Sequence, residues 1–507
     1  MTNSQRVIVN TIAQYTRTII NVCLSLYSTR LILSVLGQSD YGIYSVVAGV
    51  VAMLSFVTNA LVITTQRYLS FYHGKKDINQ VRLVFGNSWL LHLFLGILVV
   101  IVLGALGPWI TQSFLNIEDV RRDAALFVYF AAVLMLFLSF ITAPVRALFV
   151  ARENIVYTSV VDVLDGVFRL LIAILLSKIT YDHLVSYSGL LICISIFNLL
   201  AFVIYAAIKF PEFHLPKLQE LDKQYIKGLS NFAGWTIYSA GCVIARNQGI
   251  SIVLNLFYGT IVNSAYGIAQ QVSGAVQFLS TSILNAMNPQ IMKAEGAGKR
   301  QKMIRLCEYE SKYAFLLLSL VAIPLIAEMN TVLRLWLGDV PEYASMFCQF
   351  ILVASLCDQI SIGLTSANQA IGKIRNYTLV FYTLKLLVIV VGALCLHFGL
   401  PIASIMWCYV AIELLTSFLR LPLMKWIAGI DMWHFCKNVL ARIIIPCIVI
   451  SAACYIMVSC ISTEHSMRWI GTFFVALAVG VIVIWLTALT KEEKIYILNS
   501  VKKFIKR

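Results

Sequence analysis

Apolar residues along this chain gather into fourteen long runs separated by short polar connections. The runs lie at about 8–34, 42–66, 84–110, 124–146, 156–177, 184–208, 229–255, 261–288, 313–333, 343–366, 374–397, 402–423, 440–461 and 468–489. Each is close to or longer than the roughly 20 mostly apolar residues that carry a helix across the hydrocarbon of a bilayer. In hydrocarbon every backbone N–H and C=O must be bonded internally, and a helix does this within one segment. The expected fold class is therefore an all-α polytopic membrane protein of about fourteen transmembrane helices. The longest connection, near 209–228, is too short for a soluble domain, so the chemistry is expected within the membrane.

The pattern repeats. Residues 40–43 read DYGI and residues 265–268 read AYGI, an offset of 225. Ala147, Tyr157 and Thr158 recur as Ala367, Tyr377 and Thr378, an offset of 220. Order, register and position relative to the spans are kept, which suggests two six-helix halves with two helices appended. Six is even, so both halves insert the same way round, as in parallel repeats. The expected division is an N-terminal lobe at 1–208 (spans 1–6), a cytoplasmic linker at 209–228, a C-terminal lobe at 229–424 (spans 7–12), and spans 13–14 with a basic tail at 425–507.

Composition agrees with the spans. Hydrophobic residues make up 60% of the 507 and charged residues 12%, against roughly 45–50% and about 25% in soluble domains. This excludes a soluble enzyme, a disordered chain and a nucleic-acid binder. The net charge is +15, and its placement is topological. Taking the N-terminus, the connections after even-numbered spans and the C-terminus together, one side holds 29 of the 39 Lys and Arg and the other holds 5. The positively charged side faces the cytoplasm, so both termini are expected there. The short polar start, Met1–Arg6, and the length of the first apolar run argue against a signal peptide. The 12 cysteines are scattered through apolar runs with no C-x-x-C pair, and no H-E-x-x-H occurs. They read as small hydrophobes, and no metal or other cofactor is expected. The basic tail suits either an interfacial helix on anionic lipid or a solvated end.

Polar residues inside the spans are the candidate chemistry, because a charge at mid-bilayer costs roughly 2.5–3.5 kcal/mol on insertion scales. Span 1 carries Asn10, Gln14, Arg17, Asn21, Ser25 and Ser28, spaced three or four apart on one helix face. Such a stripe lines a water-filled cavity or packs against other polar helices. Arg17 lies near mid-membrane, and Arg30 lies nearer the outer end, where it either binds or snorkels. Arg246 in span 7 maps onto Asn21 by the 225 offset. Span 8 carries Gln270, Ser273, Gln277, Thr281, Asn285 and Asn288 on one face. Its amides and hydroxyls both donate and accept, which suits a sugar or glue between helices. In span 5, Asp165 and Arg169 stand in the favoured i, i+4 order of a structural ion pair, with Asp162 beside them. Lys385 maps onto Asp165 and could pair across a cavity. Asp358 and Glu413 are lone acids within spans 10 and 12. They and Asp162 are candidates for coupling to a proton or sodium gradient, or for pairing with Lys385 or another cation. Arg17 and Arg246 have no acid at i±3 or i±4.

The segment VLGQSDYGIYSVVAGVV (35–51), the arginine-bearing first span and WLGDVPEY (336–343) resemble bacterial polysaccharide-export proteins. These are the O-antigen-type lipid-linked oligosaccharide flippases of the multidrug/oligosaccharidyl-lipid/polysaccharide exporter superfamily. The resemblance covers essentially the whole chain in span count, order and loop length. It implies two six-helix bundles around a central cavity plus two C-terminal helices, and a cationic cavity with arginines in the first span and the second half. Arg17 and Arg246 match that pattern. Span 2 lacks the mid-span arginine of the related lipid II flippases, since Arg67 is at its end.

The resemblance implies a non-enzymatic transporter in a bacterial inner membrane, working as a monomer by alternating access. The expected cargo is an undecaprenyl-pyrophosphate-linked oligosaccharide, moved to the outer leaflet for polysaccharide, lipopolysaccharide or O-antigen biosynthesis alongside other glycan-assembly proteins. Expected substrate contacts are Arg17, Arg246, Asn21, Gln14, Arg30, Lys385, Gln270, Gln277 and Asn285. Two alternatives are a cation-coupled multidrug exporter of the same superfamily and a membrane glycan polymerase or ligase. The first would favour an acidic or aromatic cavity, and the second a large outer loop.

Overall fold

The computed structural model describes residues 3–52, 54–111, 117–214, 221–337, 340–460 and 467–495. Among them every regular element is helical. The principal helices are α1 (Asn3–Ala52), α2 (Ser55–Gly74), α3 (Ile78–Trp109), α4 (Arg122–Ala151), α5 (Ile155–Leu176), α6 (His183–Lys209) and α7 (Lys223–Gly296). They continue as α8 (Arg300–Ala327), α9 (Met329–Leu337), α10 (Ala344–Gln359), α11 (Ile362–Ile371), α12 (Ile374–His397) and α13 (Ala403–Ala428). Last come α14 (Met432–Phe435), α15 (Ala441–Cys460) and α16 (Arg468–Val483).

Among the described residues, ten helices are long and apolar enough to cross a membrane. The pair α10 and α11, bent by 47° at its break, makes an eleventh if it is one span. Of the three other expected spans, 156–177 and 261–288 fall almost wholly within α5 and α7, while 42–66 is divided between the end of α1 and α2. Large apolar side chains stand outward on the apolar helices, including Ile101, Ile204, Phe474 and Leu486, as a lipid-facing surface requires.

The chain divides into two compact units, Met1–Ile237 with Gly296–Gly298, and Tyr238–Glu295 with Lys299–Arg507. Each opens with a helix interrupted at a glycine of nearly the same backbone conformation. Gly37 (φ 74°, ψ 174°) breaks α1, and Gly259 (φ 81°, ψ −169°) breaks α7. That region of backbone space is essentially reserved for glycine. Two pairs of the second sequence echo share their burial. Ala147 and Ala367 are fully buried, as are Thr158 and Thr378 to within a few per cent.

In the first unit α1 lies along α5, and α4 packs on α3 and α6. The approach of α1 to α5 is close, since a Cβ on Gly166 would stand 2.8 Å from Asn21 Oδ1. Ion pairs tie both ends of α4. At its start Arg121 reaches Asp40 of the DYGI motif and Asp182. Asp182 also caps α6 by accepting from the N–H groups of Leu184 and Val185. Burial opposes ionisation of Asp182, but these partners outweigh it and hold its pKa below the usual carboxylate range. Beyond the other end of α4, Glu212 is gripped by Arg152 and, at 3.1 Å, by His73 of α2. Burial again opposes ionisation, yet hydrogen bonds from His73 and Arg152, with the charge of Arg152, pull the Glu212 pKa down to about 2.

In the second unit one apolar cluster runs through α7, α8, α10, α12, α13, α15 and α16. The two appended helices pack on each other and on α8. At Gly480 of α16 a Cβ would stand 2.3 Å from Leu320 Cδ2 of α8. A buried pair, Arg468 with Glu328 at 2.8 Å, joins the starts of α16 and α9 and is completed by Thr472.

Of the WLGDVPEY segment, Trp336 is exposed near the end of α9, while residues 338 and 339 lie outside the described residues. Most of the basic tail, 496–507, also lies outside them.

Candidate functional site

The polar stripe of α1 divides between its two expected roles. Asn10 and Gln14 are buried, and the Asn10 amide donates to Glu153 O at 3.0 Å. Asn21 donates to Asp162 O of α5 at 3.2 Å. Ser28 is buried. These residues fasten α1 to its neighbours. Between them Arg17, Thr18, Asn21 and Ser25 line an open recess of about 500 Å³. Arg17 points its guanidinium at Asp162, with Nη1 donating to Oδ2 at 2.6 Å, and keeps 28% of its side chain exposed. The other oxygen of Asp162 accepts from Arg146 Nη2 of α4, also at 2.6 Å. One carboxylate is thus shared by two guanidinium groups.

A second cluster lies inside the second unit. Arg246 of α7 is buried, with Nη1 donating to Glu413 of α13 and the guanidinium 4.5 Å from the centre of the Tyr409 ring. Lys385 of α12 reaches the other oxygen of Glu413 at 2.8 Å and Asp358 of α10 at 3.1 Å. Arg420 of α13 donates to Asp358 at 2.7 Å and to its backbone oxygen at 3.1 Å. Asp358 ends α10 beside the break before α11, so the network sits at the interruption of that span.

Several sequence expectations change here. The absence of acids around Arg17 and Arg246 holds only along their own helices; tertiary packing supplies Asp162 and Glu413. Asp358 and Glu413 are not lone acids, because each is shared by two cations. Lys385 does not pair with Asp165. Asp165 instead meets Arg169 at 2.6 Å, the expected i, i+4 pair, and accepts from Asn198 at 2.6 Å. Arg146 and Arg420, counted among loop cations, lie within α4 and α13 and complete the two clusters. The only sequence signal for them is a proline two residues away in each helix, Pro144 and Pro422. Removing these two cations leaves the charge asymmetry between the two sides intact.

Of the other expected contacts, Arg30 is exposed on α1. Gln270 donates to Tyr266 Oη at 2.7 Å. Gln277 is exposed and reaches Ser273 at 3.3 Å and Ser355 at 3.4 Å. Asn285 is exposed one helical face further along. Among the described residues no group of His, Cys, Asp and Glu is arranged to hold a metal ion.

Counted as ionised groups, each cluster has one more cation than acids. Arg17 and Arg146 share Asp162; Arg246, Lys385 and Arg420 share Asp358 and Glu413.

No protein-family model and no curated protein sequence matches this chain. Solved structures do match in fold. A MATE protein in its bent conformation aligns over 87% of this chain and 98% of its own, with a TM-score of 0.74 at 11% identity. An outward-facing multidrug resistance MATE family transporter of the MOP superfamily aligns over 86% and 98%, with a TM-score of 0.70 at 13% identity. A MOP superfamily transporter from Pyrococcus furiosus, described as having a binding pocket of reversed polarity that suggests a different function, aligns over 96% and 95%. Its TM-score is 0.63 at 12% identity. The chain therefore has the fold of MATE transporters.

Proposed function

We propose that this chain is a membrane transporter that moves an undecaprenyl-pyrophosphate-linked oligosaccharide from the cytoplasmic to the outer leaflet by alternating access. The observation that carries the reading is the surplus cation in each intramembrane cluster. In each cluster the carboxylates are shared between cations and number one fewer than those cations, so one positive charge per cluster remains for an incoming anion. Arginine stays charged and meets phosphate through a planar fork of donors. Arg17 supplies such a fork at the edge of an open recess beside the polar side chains of Asn21 and Ser25. Within the second unit, the exposed amides Gln277 and Asn285 are by themselves donors and acceptors suited to sugar hydroxyls. Undecaprenyl chains need no enclosed pocket, because a lateral opening to the bilayer suffices. Asp162, Asp358 and Glu413, released from a cation when the anion binds, are the groups to couple transport to a proton or sodium gradient.

Reconstituted vesicles test the reading. Full-length protein should carry a pyrophosphate-linked lipid oligosaccharide between leaflets, and Arg17→Gln should abolish this. Full transport by that variant, or none by the native chain, removes the proposal.

A second reading is a cation-coupled multidrug exporter, favoured by the fold shared with a multidrug resistance transporter. It predicts uptake of cationic drugs into vesicles under an imposed proton or sodium gradient, with Asp162→Asn impaired.

A further inference from the structure

A second polar cavity, of about 370 Å³, lies in the second unit away from both charge clusters, where three stretches of chain meet. The end of the α8 first half contributes Arg305 and Lys312. The α14–α15 junction contributes His434, Asn438 and Arg442. The segment after α16 contributes Lys491. Cations around the cavity outnumber its acids, Glu308 and Glu492, four to two.

Of these two acids Glu308 is engaged, while Glu492 stands exposed. Glu308 is met by His434 at 2.9 Å and by Asn438 at 3.4 Å. Lys312 of the lining is buried and meets both oxygens of Glu493, which stands just beyond the lining, at 2.6 and 2.8 Å, so that cation is already neutralised. Burial opposes ionisation of Glu493, but Lys312 and the Thr490 N–H hold its pKa below the usual carboxylate range. The floor is therefore a fixed charge-paired platform. Arg442 is anchored on it, with Nη1 donating to Ala488 O at 3.2 Å. Arg305 and Lys491 stand exposed on the rim.

The surroundings say what kind of anion reaches it. Trp433 is 79% exposed, Leu486 65% and Ile495 59%. Aromatic and aliphatic side chains flanking a basic hollow at the helix ends are the pattern of a bilayer interface. All three stretches belong to segments whose Lys and Arg place them on the cytoplasmic side, the side where anionic lipids collect and attract basic groups.

We infer that this cavity binds the phosphate of an anionic phospholipid head group from the cytoplasmic leaflet, clasping α8, α15 and the segment after α16 together. The inference rests on the chain's spanning a membrane and not on what it transports, and its test involves no transport.

Full-length protein in neutral detergent would be titrated with phosphatidylglycerol, phosphatidylcholine and inorganic phosphate, with binding read by native mass spectrometry and by the unfolding temperature. Phosphatidylglycerol should bind and raise the unfolding temperature, and phosphatidylcholine should do neither. Replacing two rim cations, Arg305→Gln with Lys491→Gln, should weaken phosphatidylglycerol binding about thirtyfold. These residues are exposed, so the variant should fold. A control pair with exposed cations elsewhere, Lys302→Gln with Lys425→Gln, should keep native affinity. Equal response to both lipids, unchanged affinity in the rim variant, or equal loss in the control pair each overturns the site. Inorganic phosphate protecting as well as the lipid does would overturn the lipid assignment in favour of a free-anion site.

Discussion

At the scale of single residues, every carboxylate of the two clusters serves two cations, and the clusters differ in how wet they are. Arg17 is partly exposed, and Asp162 keeps Arg146 if Arg17 is lost. Arg17→Gln should therefore leave the unfolding temperature near native while weakening the binding of a pyrophosphate-bearing lipid about ten- to a hundredfold, the range for losing charged hydrogen bonds. Isothermal titration in detergent checks this, and native affinity in the variant removes Arg17 from the site. Glu413 is different, being buried between Arg246 and Lys385. Glu413→Leu leaves two buried cations short of a partner and should cost about 3–5 kcal/mol. A thermal melt of this variant coinciding with native would mean that the network is not holding charge as described.

At the scale of elements, close helix approaches and paired helix ends decide what the fold tolerates. A Cβ on Gly363 of α11 would stand 2.0 Å from the backbone oxygen of Cys307 in α8, whereas one on Gly480 would meet side-chain atoms alone, Leu320 Cδ2 at 2.3 Å and Ile450 Cδ1 at 3.2 Å. Backbone cannot yield as a leucine tip can, so Gly363→Ala should destabilise more than Gly480→Ala. Comparing their unfolding temperatures tests the packing of α11 on α8, and the reverse order would refute it. Glu212 makes the ends of α2 and α4 dependent on pH. Its folded pKa, about 2, lies below the ordinary value of 4.5. The stability it contributes is therefore complete above about pH 4.5 and lost as pH falls toward 2. Glu212→Gln should flatten that part of the profile of unfolding temperature against pH; an unchanged acid limb would assign the loss to other carboxylates.

At the scale of the whole molecule, sequence charge predicts the orientation of every helix. In a background without the native cysteines, single cysteines at exposed Lys302 and Lys425 should label from the cytoplasmic face. Single cysteines at exposed Asp119 and Tyr181 should label from the opposite face. Labelling of all four from one face would break the topology from which both termini are expected in the cytoplasm.

Sequence alone determined the helices, their order and the twofold repeat. Hydrophobic run length depends only on local residues and the thickness of the bilayer, and glycine's access to positive φ places the breaks at Gly37 and Gly259. The polar stripe of α1 and the Asp165–Arg169 pair were legible for the same reason, since three- and four-residue spacing brings them together on one helix. Pairing of Asp358 and Glu413 with Lys385 was one of the options in the sequence, but the choice among those options and the partners of Arg17 and Arg246 were not legible, because they come from helices up to 167 residues away. Arg146 and Arg420 were counted with the connections although they fall at or inside the ends of the expected spans 124–146 and 402–423, because hydropathy leaves the end of a span open by a few residues. Only tertiary packing, which brings distant helix faces within hydrogen-bonding reach, decided which charges are shared and left each cluster with a cation to spare.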